Sequence, residues 1–137
     1  MGRGYHESAK GVKAGMGIKL LLDTNAVIAL LKGDPQIVSK TQTAEEVLIS
    51  IITVIEFLSY SELSKNDKNL FLIFTERVSV LDISFNDSLL IKKIAELRIK
   101  YRIKLPDAII LAQSIITKSQ LITVDETLLN KYTKETL

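Results

Sequence analysis

A chain of 137 residues, 47% hydrophobic and 25% charged, has the size and composition of one self-supporting globular domain, which excludes an intrinsically disordered chain. It contains no cysteine, so disulfides, thiolate ligands and cysteine nucleophiles are excluded, and its single histidine, His6, leaves any metal site in the body to oxygen ligands. Eighteen basic residues against 16 acidic ones give a slight positive charge, but Arg3, Lys10 and Lys13 against Glu7 in the first seventeen residues account for it, and the rest of the chain is neutral.

Residues 1–17, "MGRGYHESAKGVKAGMG", hold five of the six glycines and are expected to form a flexible leader or a segment added for expression, ahead of a single domain over residues 18–137. From Ile18 onward short apolar runs alternate with longer periodic segments, the pattern of strands and helices around a parallel sheet. "IKLLL" reads as the first strand and "NAVIALLK" as a helix stopped by Gly33, Asp34 and Pro35, with a short helix over Ile37 to Thr43. "VLISI" is the second strand, followed by a helix from Val54 to Ser64 and another from Lys68 to Phe74, separated by "SKND". "VSVLDI" is the third strand. A helix from Asn86 to Lys100 places Leu90, Ile94, Leu97 and Tyr101 on one face, with Ser84 and Asp87 spaced as a capping box. "DAIILAQSIIT", after Pro106, is apolar nearly all round and reads as a buried helix. "QLITV" is the last strand, and "DETLLNKYTKETL" reads as a short helix that then frays. No apolar run approaches the roughly 18 residues of a membrane span and the N-terminus lacks the apolar core of a secretion signal, so a cytoplasmic location is expected.

Four acids fall where a helix begins: Asp23 after "LLL", Glu56 after "LISII", Asp107 at the start of the buried helix, and Asp125 after "LITV". In open parallel sheets the edge formed by strand C-termini is where ligands bind, so the four can share one cleft. Each acid singly also fits a cap: Asp23 and Asp125 as N-caps, Thr53 and Glu56 as a T-x-x-E capping box, Asp107 in a first helical turn. Taken together they repel, and a divalent cation resolves the repulsion. Mg2+ or Mn2+ held by carboxylates and water supports phosphodiester hydrolysis, the chemistry best suited to a residue set without usable histidine or cysteine.

In that order and spacing, "LLLDTNAVIALL", "SIITVIEFL", "KLPDAIILAQS" and "LITVDETLL" resemble the four acidic motifs of PIN-domain nucleases, in particular the VapC-like toxin ribonucleases of type II toxin–antitoxin pairs. The resemblance spans residues 18 to 130. It implies a three-layer α/β/α fold with a central, mainly parallel sheet, Mg2+- or Mn2+-dependent endoribonuclease activity, a cognate antitoxin and a homodimer. By position it makes Asp23 and Asp107 the firmest metal ligands, with Glu56 and Asp125 completing the catalytic pocket directly or through water, and Thr123 a supporting hydroxyl. Many relatives carry a second acid and an aromatic after the last aspartate; here "DETLLN" offers Glu126 and Leu128.

Six basic residues, Lys92, Lys93, Arg98, Lys100, Arg102 and Lys104, crowd the stretch before Asp107, against Glu96. They read either as a track for an RNA backbone, with Arg98, Lys100, Arg102 and Lys104 as RNA-binding candidates, or as a solvated helix face. Tyr101 is placed in the core by its spacing from Leu97. Two other functions are weaker fits: a catalytically silent PIN-like module that binds RNA or protein, against which the presence of all four acids argues, and a phospho-acceptor receiver domain with Asp82 as acceptor, which calls for paired acids after the first strand where this chain has one.

Overall fold

The computed structural model describes residues 17–137; His6 and the expected leader, apart from Gly17, lie outside the described residues. The apolar run before Asp23 becomes the strand β1 (Lys19–Leu22), with Leu20, Leu21 and Leu22 all buried. It is followed by α1 (Thr24–Leu31), α2 (Pro35–Thr43), β2 (Glu46–Ser50), α3 (Ile51–Leu58), α4 (Lys65–Thr75) and β3 (Ser79–Leu81). The second half comprises α5 (Ser88–Tyr101), α6 (Leu105–Ile116), β4 (Gln120–Ile122) and α7 (Glu126–Thr136). The strands form one sheet in the order β3-β2-β1-β4, every pair parallel, with Leu21 opposite both Leu48 and Leu121. Where a strand is paired on both edges and covered on both faces, both sets of side chains must be apolar, which explains why Leu20 to Leu22 show no alternation after the exposed Lys19.

The pleat divides the core in two. Leu20 and Leu22 pack on one face with Ala26 and Val27 of α1, Ile37 of α2, Phe57 of α3 and Phe71 of α4. Leu21 packs on the other with Leu90, Ile94 and Leu97 of α5, the almost wholly buried Ala108 to Ala112 of α6, and Leu128 of α7. Phe57 and Phe71 stack with ring centroids 4.0 Å apart, joining α3 to α4. Each fully buried leucine contributes about 1.5–3 kcal/mol, so this two-sided packing outweighs the individual caps and turns.

Several boundaries differ from the sequence reading. α3 starts at Ile51 rather than Val54, because the Ser50 hydroxyl accepts from the Ile52 amide and caps the helix. It ends at Leu58 rather than Ser64, where the Ser59 and Tyr60 amides bond back to Glu56 and Phe57 in tightened turns. The Thr53–Glu56 capping box is therefore not formed; both residues lie inside the helix. α4 starts at Lys65 because Ser64 accepts from the Asp67 amide. α5 starts at Ser88: Asp87, not Ser84, is its cap, accepting from the Leu90 amide.

The C-terminal segment does not fray. Helix α7 runs to Thr136, docked by the Tyr132 hydroxyl donating to the Ser119 carbonyl and by Glu135, whose carboxylate accepts from Lys100 Nζ and from the Tyr101 hydroxyl, both at 2.6 Å. The Glu135 carboxyl is held below the usual glutamate range, chiefly by Lys100 and then by Tyr101. A lowered acid stabilises the fold above the unfolded-state value and loses that contribution as pH falls through the folded one. The stability difference between wild type and Glu135→Gln should thus be full at neutral pH and shrink on acidification below the ordinary glutamate range, as chemical denaturation across pH would show.

Helix α6 ends with Lys118 at φ 56°, the Lys118 amide bonded to Ile115 O and the Ser119 amide to Ser114 O. That left-handed position suits glycine. Lys118→Gly should raise stability by roughly 1 kcal/mol, seen as a melting temperature a few degrees higher.

Candidate metal centre

All four acids singled out above line one cleft of about 360 Å³ at the C-terminal edge of the sheet. Strand order explains the convergence. β1 has its sequence successor β2 on one side and β4 on the other, so the chain leaves β1 and β4 in different directions and a crevice opens between them. Asp23 follows β1 and Asp125 follows β4, one on each side of that crevice, while α3 and α6 bring Glu56 and Asp107.

Asp23 is the most constrained. It is 6% exposed, its amide donates to the Ile122 carbonyl at 3.1 Å, and its Oδ1 accepts from the Ala26 amide at 2.8 Å, capping α1. Its Oδ2 accepts a hydrogen bond from the Thr123 hydroxyl, which in turn accepts from the Asp125 amide at 3.0 Å. Thr123 thereby ties the loops after β1 and β4 together. Asp125 is exposed and caps α7, its Oδ1 accepting from the Thr127 and Leu128 amides. Capping and membership of the cleft coexist in both aspartates.

Asp107 is half-buried in the first turn of α6, whose N-cap residue, Lys104, makes no side-chain cap bond. Glu56 is half-buried in α3, where its Oε1 accepts from the Thr24 hydroxyl at 2.7 Å; that hydroxyl also lies 3.2 Å from Thr53 Oγ1. Thr24 and Thr53 were not picked out as site residues from sequence. Their signal was present all the same, Thr24 beside Asp23 and Thr53 three residues before Glu56.

Burial pushes the Asp23 carboxyl above the usual aspartate range, against the hydrogen bonds from Thr123 and Ala26, and the charges of Asp125 and Glu56 push it further. Burial likewise raises Asp107, followed by the charges of Asp125 and Glu56, with Lys104 acting in the opposite direction. Among the described residues no three acidic side chains close into a cage that would hold an ion by themselves. Carboxylates spread around a water-accessible cleft suit Mg2+ or Mn2+ bound through one or two of them with retained water. Uncompensated charge and oxygen-only donors fit such an ion.

The basic stretch divides. Lys104 stands close enough to act on Asp107, Lys93 and Lys100 pair with Glu135, and Arg98 and Arg102 border a separate shallow hollow beside Ile99. Asp82 follows the edge strand β3, which pairs with β2 and not β1, so it does not line the acidic cleft. A receiver-type order, with the third strand beside the first, is absent from the described sheet.

The PIN domain model matches residues 20–134. The chain belongs to the PIN domain family. A toxin–antitoxin complex from Klebsiella pneumoniae contains a chain 27% identical, with 77% of this chain and 86% of that one covered and a TM-score of 0.65. VapBC2 from Rickettsia felis bound to a promoter DNA fragment aligns at 20% identity, over 83% and 92% of the two chains, with a TM-score of 0.70. FitAcB from Neisseria gonorrhoeae aligns at 22% identity, over 83% and 93%, with a TM-score of 0.61. The latter two share the fold. No curated protein matches the chain significantly by sequence. The sheet of this PIN domain is wholly parallel, and no helix among the described residues is long and apolar enough to cross a membrane.

An acid raised in the folded state favours folding below its unfolded value, and that advantage disappears as pH rises through the folded one. In metal-free protein Asp107→Asn should therefore melt higher than wild type at neutral pH, and the two curves should converge on acidification into the ordinary aspartate range. Thermal melts in EDTA across pH test this.

Proposed function

We propose that this PIN domain is a Mg2+- or Mn2+-dependent endoribonuclease, the toxin of a toxin–antitoxin pair. The observation that carries the reading is the convergence of Asp23, Glu56, Asp107 and Asp125 on one cleft, with two of them destabilised as anions by burial and mutual repulsion. Asp23 and Asp107 would hold the ion, with Glu56 and Asp125 completing the shell directly or through water. When bound, the ion supplies Lewis-acid polarisation of a phosphodiester and a water molecule acidified toward hydroxide.

The chain's own residues do the rest. The Ala26 amide and the Thr123 hydroxyl orient both oxygens of Asp23, and Thr24 orients Glu56. Lys104, exposed at the start of α6, offers a positive charge for a phosphate next to Asp107. Arg98 and Arg102, at the C-terminal end of α5, offer further positive charge for a longer RNA, while Lys100 is committed to Glu135.

Two further elements of the reading concern partners. A groove of about 480 Å³, lined by Ile28, Leu31, Phe57, Leu63 and Leu70, meets the acidic cleft at Tyr60. It offers an apolar seat for an antitoxin segment, in keeping with the antitoxin complexes of the structural neighbours. Exposed Leu72 and Ile73 on α4 and Ile55 and Leu58 on α3 provide apolar area for a homodimer.

Asp23→Asn and Asp107→Asn should each lower RNA cleavage in Mg2+ or Mn2+ by at least about a hundredfold, with circular dichroism unchanged. EDTA should abolish wild-type cleavage, and Mn2+ should raise the melting temperature of wild type more than that of either variant. Retained cleavage in both variants would overturn the assignment.

A further inference from the structure

We propose that Thr53 is a positioning residue of the acidic cleft: acting through the Thr24 hydroxyl, it fixes the direction of the Glu56 carboxylate. The inference rests on the nuclease reading for its functional consequence and on geometry for its existence. Thr53 is fully buried in α3, one turn before Glu56 on the same side of the helix. Thr24, 8% exposed, enters from the first turn of α1. Its Oγ1 lies 2.7 Å from Glu56 Oε1 and 3.2 Å from Thr53 Oγ1.

A threonine hydroxyl carries one hydrogen, and an ionised carboxylate only accepts. The shorter, charge-assisted contact claims the Thr24 hydrogen for Glu56. The geometry directs Thr24 Oγ1 as donor at both Thr53 Oγ1 and Glu56 Oε1, but one hydrogen cannot serve both. With it on Glu56, the 3.2 Å contact persists when the rotatable Thr53 hydroxyl turns to donate to Thr24 Oγ1, giving the order Thr53, Thr24, Glu56. A buried hydroxyl needs a partner, and among the described residues Thr24 is the one side chain bonded to Thr53. Glu56 needs the arrangement because no cation pairs with it among the described residues, and its side chain is otherwise free to swing across the cleft. The cap that Thr53 would have formed with Glu56 is made by Ser50, so capping does not account for a buried hydroxyl here.

The test compares full-length wild type with Thr53→Val, which keeps the shape and removes the hydroxyl, and Thr53→Ser, which keeps the hydroxyl. Thr53→Val should lower kcat for RNA cleavage by about tenfold at unchanged KM, the loss of one hydrogen bond felt at the reacting centre. Thr53→Ser should restore most of it. In metal-free protein, NMR relaxation of the Glu56 methylenes should show a more mobile side chain in Thr53→Val alone. Wild-type kcat and Glu56 order in Thr53→Val, or equal impairment in Thr53→Ser, would overturn the proposal.

Should Thr53→Val fail to fold, Thr24→Val read by the same relaxation measurement decides: a more mobile Glu56 side chain supports the relay, and one as ordered as in wild type overturns it. Should wild type cleave no RNA, the nuclease reading falls by itself, while Glu56 order in the variants still decides the relay.

Discussion

The parallel pairing of β1 with β2 on one side and β4 on the other is the constraint from which the rest of the molecule follows. It demands a strand that is apolar on both faces, and Leu20 to Leu22 meet the demand. It places helices on both sides of the sheet, because parallel strands need crossovers. It also brings the C-terminal ends of β1 and β4 together, so that the Asp23 amide reaches the Ile122 carbonyl and Thr123 reaches the Asp23 carboxylate. The acidic cleft is a by-product of that register.

Electrostatics at this edge run against stability. A carboxylate as buried as Asp23 is costly when ionised, and the neighbouring charges of Asp125 and Glu56 add to the cost. Two hydrogen bonds offset only part of it, since the direction of the shift remains upward. The large apolar core on each face carries this local penalty. Regions that keep a destabilising charge arrangement inside an otherwise consistent fold are where function is expected.

The charged surface away from the cleft is organised differently. Glu135 gathers Lys93, Lys100 and the Tyr101 hydroxyl, with Lys100 and Lys131 near the Tyr101 ring, and it fastens the C-terminal helix to α5. The same lysines looked, in the linear sequence, like part of a single basic track. Pairing across 35 residues of sequence, as between Lys100 and Glu135, has no local signature, so the division of that stretch was invisible before folding.

Local chemistry was legible wherever it is governed by period and composition. The apolar runs of β1 and β2, the all-round apolar character of α6, and the caps at Asp23 and Asp125 follow from residues close in sequence. At the starts of α3 and α5 two short polar residues compete to cap, Ser50 against Thr53 and Asp87 against Ser84; which one wins depends on where the preceding strand or loop delivers the chain. The ordered tail has no local signature, because its helix is held by distant partners, Ser119 and Lys100.

An α/β domain with four acids at helix starts, and oxygen as the metal-binding chemistry of the body, follow from residue order and composition alone. Folding adds that the four share a cleft, that Glu56 faces it from within a helix instead of capping one, and that Thr24 and Thr53 stand behind it. The physical reason is separation: 100 residues lie between Asp23 and Thr123, and only strand order and register bring such groups within hydrogen-bonding distance.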